Sequence, residues 1–476
     1  MRFHQMCNNY FSRCRLIAKL ASLCAIGLLG NLTGLNVVFA QTLDETLSHV
    51  YATSPVLNNQ RVQLRATNEN YPQAISNWLP SVSYTRTDTR TVTREKGNST
   101  GTTNTTGVDD AVSLSIDVFR GGRNFASLRK ANTDIKGGRQ QLIETEQTVF
   151  LDTITAYMDV LRDQQRVEIR RNNVNVLKQH LDAVQVQYDL RRRTETDLAQ
   201  AKSRLSAAEA QTAVAEARLI ATEERFQRIV GLPPEDLSFP ADIPEDMKVD
   251  DDNVRGLVSD NPSVLRQQYA VKSAEDDVDL VAGELLPSVA VSSSITRSKS
   301  ALRDASATVG QTGVVSMTLT VPIYQKGAVY SRLRASKYTL GTQKLTLNQT
   351  YRTTIESLLS NADNLRVAKV RIASLQKQVE AAEIALKSIE AELEVGRRTV
   401  LDVLDQEQEL LNARLNLVSA ERDKIVFAYT IERDTGRLTA NDLGLSVDLY
   451  DTEADFDEQK FKLLGTGTLP DLPSQK

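Results

Sequence analysis

Five short motifs recur in order along this chain at almost constant spacing, so whatever forms near residue 54 must form again near residue 261. Ser54–Leu57 reads SPVL and Asn261–Leu265 reads NPSVL, while Leu79–Val82 and Leu286–Val289 both read LPSV. VFRGGR at Val118–Arg123 answers IYQKGA at Ile323–Ala328, and RRTETDL at Arg192–Leu198 answers RRTVLDV at Arg397–Val403. Gly231 answers Gly436. The offset is 207 residues for the early pairs and 205 for the later ones, which places a small deletion in a loop between them. An internal repeat of this kind means one supersecondary plan built twice. The stretch 233–252, rich in Pro and acidic residues, reads as a linker between a first repeat (41–232) and a second (253–445).

No proline occurs from Ser81 to Leu232 or from Ile323 to Leu469, so both tracts are free to form very long helices. In the second repeat Leu365, Ala368, Ile372, Leu375, Val379, Ala382, Leu386, Ile389 and Leu393 step by threes and fours, the seam of a coiled coil. Leu404, Leu411, Val418 and Ile425 continue it after a turn. The first repeat offers Phe150, Ile154, Tyr157 and Leu161, then Leu177, Leu181, Val184 and Tyr188. Its return segment is alanine-rich from Ala207 to Ala217, which allows close backbone approach. A helix over Ala126–Tyr188 would be about 90 Å long at ~1.5 Å per residue, too long for a compact domain.

Before each long helix lie alternating segments. Val112, Leu114, Ile116 and Val118 alternate with Ser113, Ser115 and Asp117; Val315, Met317, Leu319 and Val321 alternate with Ser316, Thr318 and Thr320. Segments from Pro80 and Pro287 alternate more weakly. These are strands with one apolar and one polar face, joined by polar loops such as Arg90–Asp110. Trp78, Phe119 and Tyr324 fall at the strand ends nearest the helices, where a membrane-interface belt would lie. Each repeat supplies two strands and the chain four. A lipid-exposed sheet must close on itself, and four strands are too few, so the chain must oligomerise; three copies would give twelve strands.

Residues 1–40 carry Arg2, Arg13, Arg15 and Lys19, an apolar run around Leu20–Leu29, and Val38-Phe39-Ala40 before Gln41, the layout of a secretory signal peptide cleaved after Ala40. All three cysteines lie in that leader, so the mature chain has neither thiol nor disulfide. Without the leader it holds 53 basic and 61 acidic residues, which speaks against nucleic acid as a partner. Only His49 and His180 remain, far apart in sequence; no His/Cys metal site and no cofactor is expected. The nucleophile, metalloprotease and phosphate-loop motifs are missing, so an enzyme is not expected either. The acidic segment 446–476 reads as a disordered tail.

The duplicated helix–strand–strand–helix plan, the paired LPSV strands, VPIYQKGAVYSRLRASKY at Val321–Tyr338 and VGRRTVLDVLDQEQELLNA at Val395–Ala413 together resemble the TolC-like outer-membrane efflux and secretion proteins. The resemblance runs from about residue 42 to Leu445. It implies a mixed α and β membrane protein: a homotrimeric twelve-strand β-barrel, four strands per chain, in the outer membrane of a Gram-negative bacterium, continuous with a coiled-coil α-helical tunnel through the periplasm. It implies a passive duct docked, through a periplasmic adaptor, to an inner-membrane transporter of ABC, RND or MFS type. By the same resemblance Asp402 and Asp405 line the pore constriction as stacked rings of carboxylates. Arg398 latches the second turn to Thr196 and Asp197. The turns carrying Val395, Gly396 and Thr399, and Leu190 and Thr194, dock the adaptor. Two departures stand out: Leu393 replaces a tyrosine that shares the latch, and Arg191 replaces the first turn's glycine. The competing reading is an exported coiled-coil scaffold or adhesin without a pore, which explains the heptads but not the paired amphipathic strands.

Overall fold

The computed structural model describes residues 41–96, 101–240, 244, 249–250, 253–302 and 306–466. The expected leader 1–40, part of the expected linker 233–252 and the terminal 467–476 lie outside the described residues. The first repeat opens with α1 (Leu43–Thr53), α2 (Pro55–Asn68) and α3 (Asn70–Ser76), runs through β1 (Ser81–Glu95) and β2 (Gly101–Arg120), and ends in α4 (Arg123–Asp189) and α5 (Glu195–Val230). The second repeats the plan with α6 (Val254–Ser259), α7 (Pro262–Ala282), β3 (Ser288–Leu302), β4 (Thr308–Thr320), α8 (Ala328–Glu394) and α9 (Val400–Asp434). A short α10 (Thr452–Gln459) follows.

The recurring motifs prove to be the punctuation of this plan. In SPVL and NPSVL the Ser54 and Asn261 side chains cap α2 and α7, and the following proline takes the first helical turn, where its missing N–H costs nothing. In LPSV the proline precedes the first residue of β1 or β3. Gly122 and Gly327, both left-handed at φ 79° and 77°, turn the chain from strand into long helix. Gly231 and Gly436 are left-handed in the same way after α5 and α9. With no proline to interrupt them, α4 and α8 each run 67 residues, about 100 Å.

The four strands form one antiparallel sheet in the order β1-β2-β3-β4, which leaves β1 and β4 as edges. Register gathers the apolar residues on one face: Val82 pairs with Leu114, Tyr84, Val112 and Ile295 lie in neighbouring positions, and so do Ile116, Val291 and Met317. Opposite them stand small hydroxyls, with Ser292 and Ser316 hydrogen-bonded across strands at 2.8 Å. Two sequence expectations change here. Most of Arg90–Asp110 is strand and not loop, because its threonines are β-branched and suit a pleated surface. Val118 does not continue the alternation: the register shifts between Asp117 and Phe119, and Phe119 pairs with Val289 in its place. The two-residue difference between repeats thus falls within the strand hairpins.

Among the described residues no helix is long and apolar enough to cross a membrane. The main core lies midway along the helices, where Leu47, Val50, Leu57, Phe150, Ile154, Tyr157, Phe226 and Leu438 are almost fully buried. The acidic tail is not disordered over 446–466. Asp451 caps α10, Tyr71 packs edge-on against Phe456 with ring centres 5.3 Å apart, Arg65 holds Asp455 at 2.9 Å, and Arg139 pairs with Glu453. Composition misled because these acids are matched by arginines far away in sequence. A second polar knot crosses the helices below: Asp159 and Asp163, nearly buried on α4, meet Arg162 of α4 and Arg422 of α9 at 2.8–2.9 Å.

Candidate functional site at the hairpin tips

Helices α4 and α5 form one antiparallel hairpin, α8 and α9 the other, and α4 also packs along α9. At their far end the two hairpins share a small apolar cluster of Leu177, Val184, Leu198, Val400 and Leu404. Leu393 packs against it, so the residue that departs from the family pattern contributes packing where a tyrosine would contribute a hydroxyl.

The two turns are built alike. Each helix ends in a Schellman arrangement, with Arg192 N–H donating to the Gln187 carbonyl and Arg397 N–H to that of Glu392, both at 2.8 Å. The residue this requires in the left-handed region is Gly396 at φ 76° in one turn and Arg191 at φ 62° in the other. Arg191 therefore takes up the same backbone conformation, and the first turn keeps its shape despite the substitution. The next helix starts with a capping box in both cases: Thr194 with Asp197 on α5, Thr399 with Asp402 on α9.

This geometry places each expected site residue. The Asp402 carboxylate accepts from the Thr399 amide at 2.9 Å and from its hydroxyl at 2.8 Å. Those two bonds, the amide's first, hold its pKa below the ordinary carboxylate value. Asp197 accepts from Thr194 in the same way at 3.0 and 2.9 Å. Asp402 and Asp197 are thus equivalent caps in the two repeats, a relation that the T-x-x-D spacing makes readable. Asp405, one turn further along α9, meets Arg204 of α5 at 2.6 Å and so ties the two hairpins together. Arg398 donates to Glu392 of its own hairpin at 2.9 Å, a bond that raises its pKa; none of its hydrogen bonds within the chain reaches Thr196 or Asp197, and Thr196 is exposed. Val395 and Leu190 project at the tips, 71% and 61% exposed, while the hydroxyls of Thr399 and Thr194 are engaged as caps.

Two contacts escaped the sequence. Arg204–Asp405 joins residues 201 apart. His180 on α4 lies with Nε2 2.7 Å from Oε1 of Glu407 on α9, and that carboxylate holds the imidazole above its ordinary pKa. No local spacing shows this pairing, since His180 meets a carboxylate brought in by the other repeat. Glu407 does carry a signal: it occupies a seam position three residues after Leu404 and four before Leu411, where an apolar residue belongs.

The chain as a whole is similar to known proteins. The family model described as outer membrane efflux protein matches residues 46–232 and 255–429, one segment in each repeat. The chain is 29% identical over 443 residues to the outer membrane efflux protein BepC of Brucella suis biovar 1, covering 92% of this chain and 94% of that one. It is 23% identical over 444 residues to the outer membrane protein TolC of Vibrio cholerae, covering 89% and 97%. The Campylobacter jejuni CmeC outer membrane channel superposes with a TM-score of 0.75 at 12% identity, over 88% of this chain and 89% of that one. None of these relatives supports a pore-less scaffold. A family match across both repeats, on a duplicated plan of paired strands and long hairpins, means that the chain belongs to the outer membrane efflux protein family and serves as an exit duct of the outer membrane.

Proposed function

We propose that three copies of this chain complete a twelve-strand barrel in a Gram-negative outer membrane and a helical tunnel beneath it. The tunnel takes small molecules, polypeptides or both from an inner-membrane transporter of ABC, RND or MFS type through a periplasmic adaptor. The observation that carries the reading is the sheet: four strands, apolar on one face, open at both edges, leading through Gly122 and Gly327 into helices of about 100 Å. Lipid of the outer membrane covers the apolar face.

The hairpin tips are the proposed gate. Asp402 and Asp405 from three copies would form two carboxylate rings one helical turn apart, which attract multivalent cations. The Arg398 latch to Thr196 and Asp197 would then form between copies, because within one chain Arg398 is engaged by Glu392. Val395 and Leu190 supply exposed apolar contacts for the adaptor, Gly396, Thr399 and Thr194 shape the tips, and the five arginines 191–193 and 397–398 suit an acidic partner surface.

Single-channel recording of the detergent-purified protein in a planar bilayer tests this. Discrete openings are expected, blocked by a trivalent cation added on the tip side, with the block abolished in Asp402→Asn/Asp405→Asn. Arg398→Ser is expected to raise resting conductance. Folded protein that never inserts would overturn the duct; openings without block would move the constriction away from these aspartates.

A further inference from the structure

We propose that His180, Glu390 and Glu407 form a binding site for a divalent cation of the zinc class, fastening the two hairpins to each other near their tips. The three donor atoms come from three helices, α4, α8 and α9, and lie within 4.8 Å of one another. Bonds of about 2.1 Å to a tetrahedral ion would set such donors about 3.4 Å apart. Glu390, near the end of α8 and outside the buried seam, would draw in, while His180 Nε2 and Glu407 Oε1, now 2.7 Å apart, would part to admit the ion.

Glu407 is what separates this cluster from an ordinary surface group of acids. It is 5% exposed, on the seam where α9 faces α4; its Oε1 is met by His180, and no described residue donates to its Oε2. The 2.7 Å approach of His180 is an ion-pair contact and leaves the second oxygen, Oε2, without a partner. A carboxylate buried with unfilled acceptor capacity is costly, and an ion bound to its free lone pairs removes that cost. One imidazole nitrogen with two carboxylate oxygens is a donor set suited to a borderline cation with one open position. A cleft of about 340 Å³ between α4, α5 and α9, lined in part by Arg170, Leu177 and Arg204, reaches Glu407.

The site differs in place and consequence from the proposed aspartate rings. Its ligands span both hairpins of one chain, so an occupied site resists their separation, whereas a ring ion would plug the lumen. Only that consequence rests on the gate reading; binding itself does not.

The test is calorimetric titration of the untagged, detergent-purified, chelator-treated protein with Zn²⁺ at a pH where imidazole is neutral. Cobalt serves as the spectroscopic substitute. One ion per chain is expected, with visible cobalt bands of low coordination number. His180→Gln should weaken binding roughly tenfold or more, and Asp402→Asn/Asp405→Asn should leave it intact. Should His180→Gln fail to fold, Glu390→Gln removes a ligand outside the packed seam. Hydrogen exchange of the tip amides should slow on adding Zn²⁺ to the wild type and not to the variants. Stoichiometry unchanged in both ligand variants, or binding lost with the Asp402/Asp405 pair, would overturn the proposal and leave His180–Glu407 an ion pair only. Channel activity enters none of these readouts, so a failed site and a failed duct remain distinguishable.

Discussion

At the scale of single residues, the duplication is written in backbone angles as much as in side chains. Positive φ recurs at four matched pairs, Gly121 with Lys326, Gly122 with Gly327, Arg191 with Gly396 and Gly231 with Gly436. Two of the eight are not glycine, so the conformation outlasts the residue that makes it easy. The members of a pair are not interchangeable, however. A Cβ on Gly121 would come within 2.3 Å of the Gly283 carbonyl oxygen, because the two backbones cross where the sheet meets the helices. Gly121→Ala is therefore expected to cost about 1–3 kcal/mol, with further loss from the clash, and to lower the thermal midpoint. Arg191→Gly should act in the opposite sense, by about 1 kcal/mol, through relief of the left-handed strain; if both moved stability the same way, the pairing argument would fail. The glycines and the capping threonines were legible from sequence because local conformation alone dictates them. His180 and Glu407, 227 positions apart, were not.

At the scale of elements, the hairpins behave as the heptads foretold, and their ends depend on caps. Asp402 has a depressed pKa through the Thr399 amide and hydroxyl. A group whose folded pKa lies below its unfolded one stabilises above the unfolded value, here about 3.8, and loses that contribution as pH falls through the folded pKa. Amide exchange at the start of α9, compared between wild type and Asp402→Asn, should differ above about pH 4 and converge in stronger acid. A difference that persisted when Asp402 is protonated would show that the cap does not act through its charge. Helix extents were readable to within a few residues, since the proline-free seam leaves little choice. The strands were underestimated, because threonine-rich sequence looks like loop until cross-strand partners are known. The tail was misread for a related reason: Asp455 and Glu453 look solvated until Arg65 and Arg139 are brought to them.

At the scale of the whole molecule, composition and repeats led directly to the architecture. The sheet was countable from sequence, and the count itself required other copies. The candidate gate was legible only through family resemblance. Nothing in a DxxD pair alone distinguishes a pore lining from a helix cap, and within one chain Asp402 is a cap.

The two unpaired edges, β1 and β4, make the contact between copies head-to-tail: one chain's last strand must meet its neighbour's first, so the sheet closes only as a ring. Damage is then shared rather than diluted. A chain with a proline in β4, placed where its amide should serve the neighbour, would spoil every ring it joins. Co-expressed in equal amount with the normal chain, it would leave about one in eight rings intact if rings hold three members. Such a variant should be dominant, and export capacity should fall with the cube of the normal fraction. A linear fall would mean that copies do not share their edges.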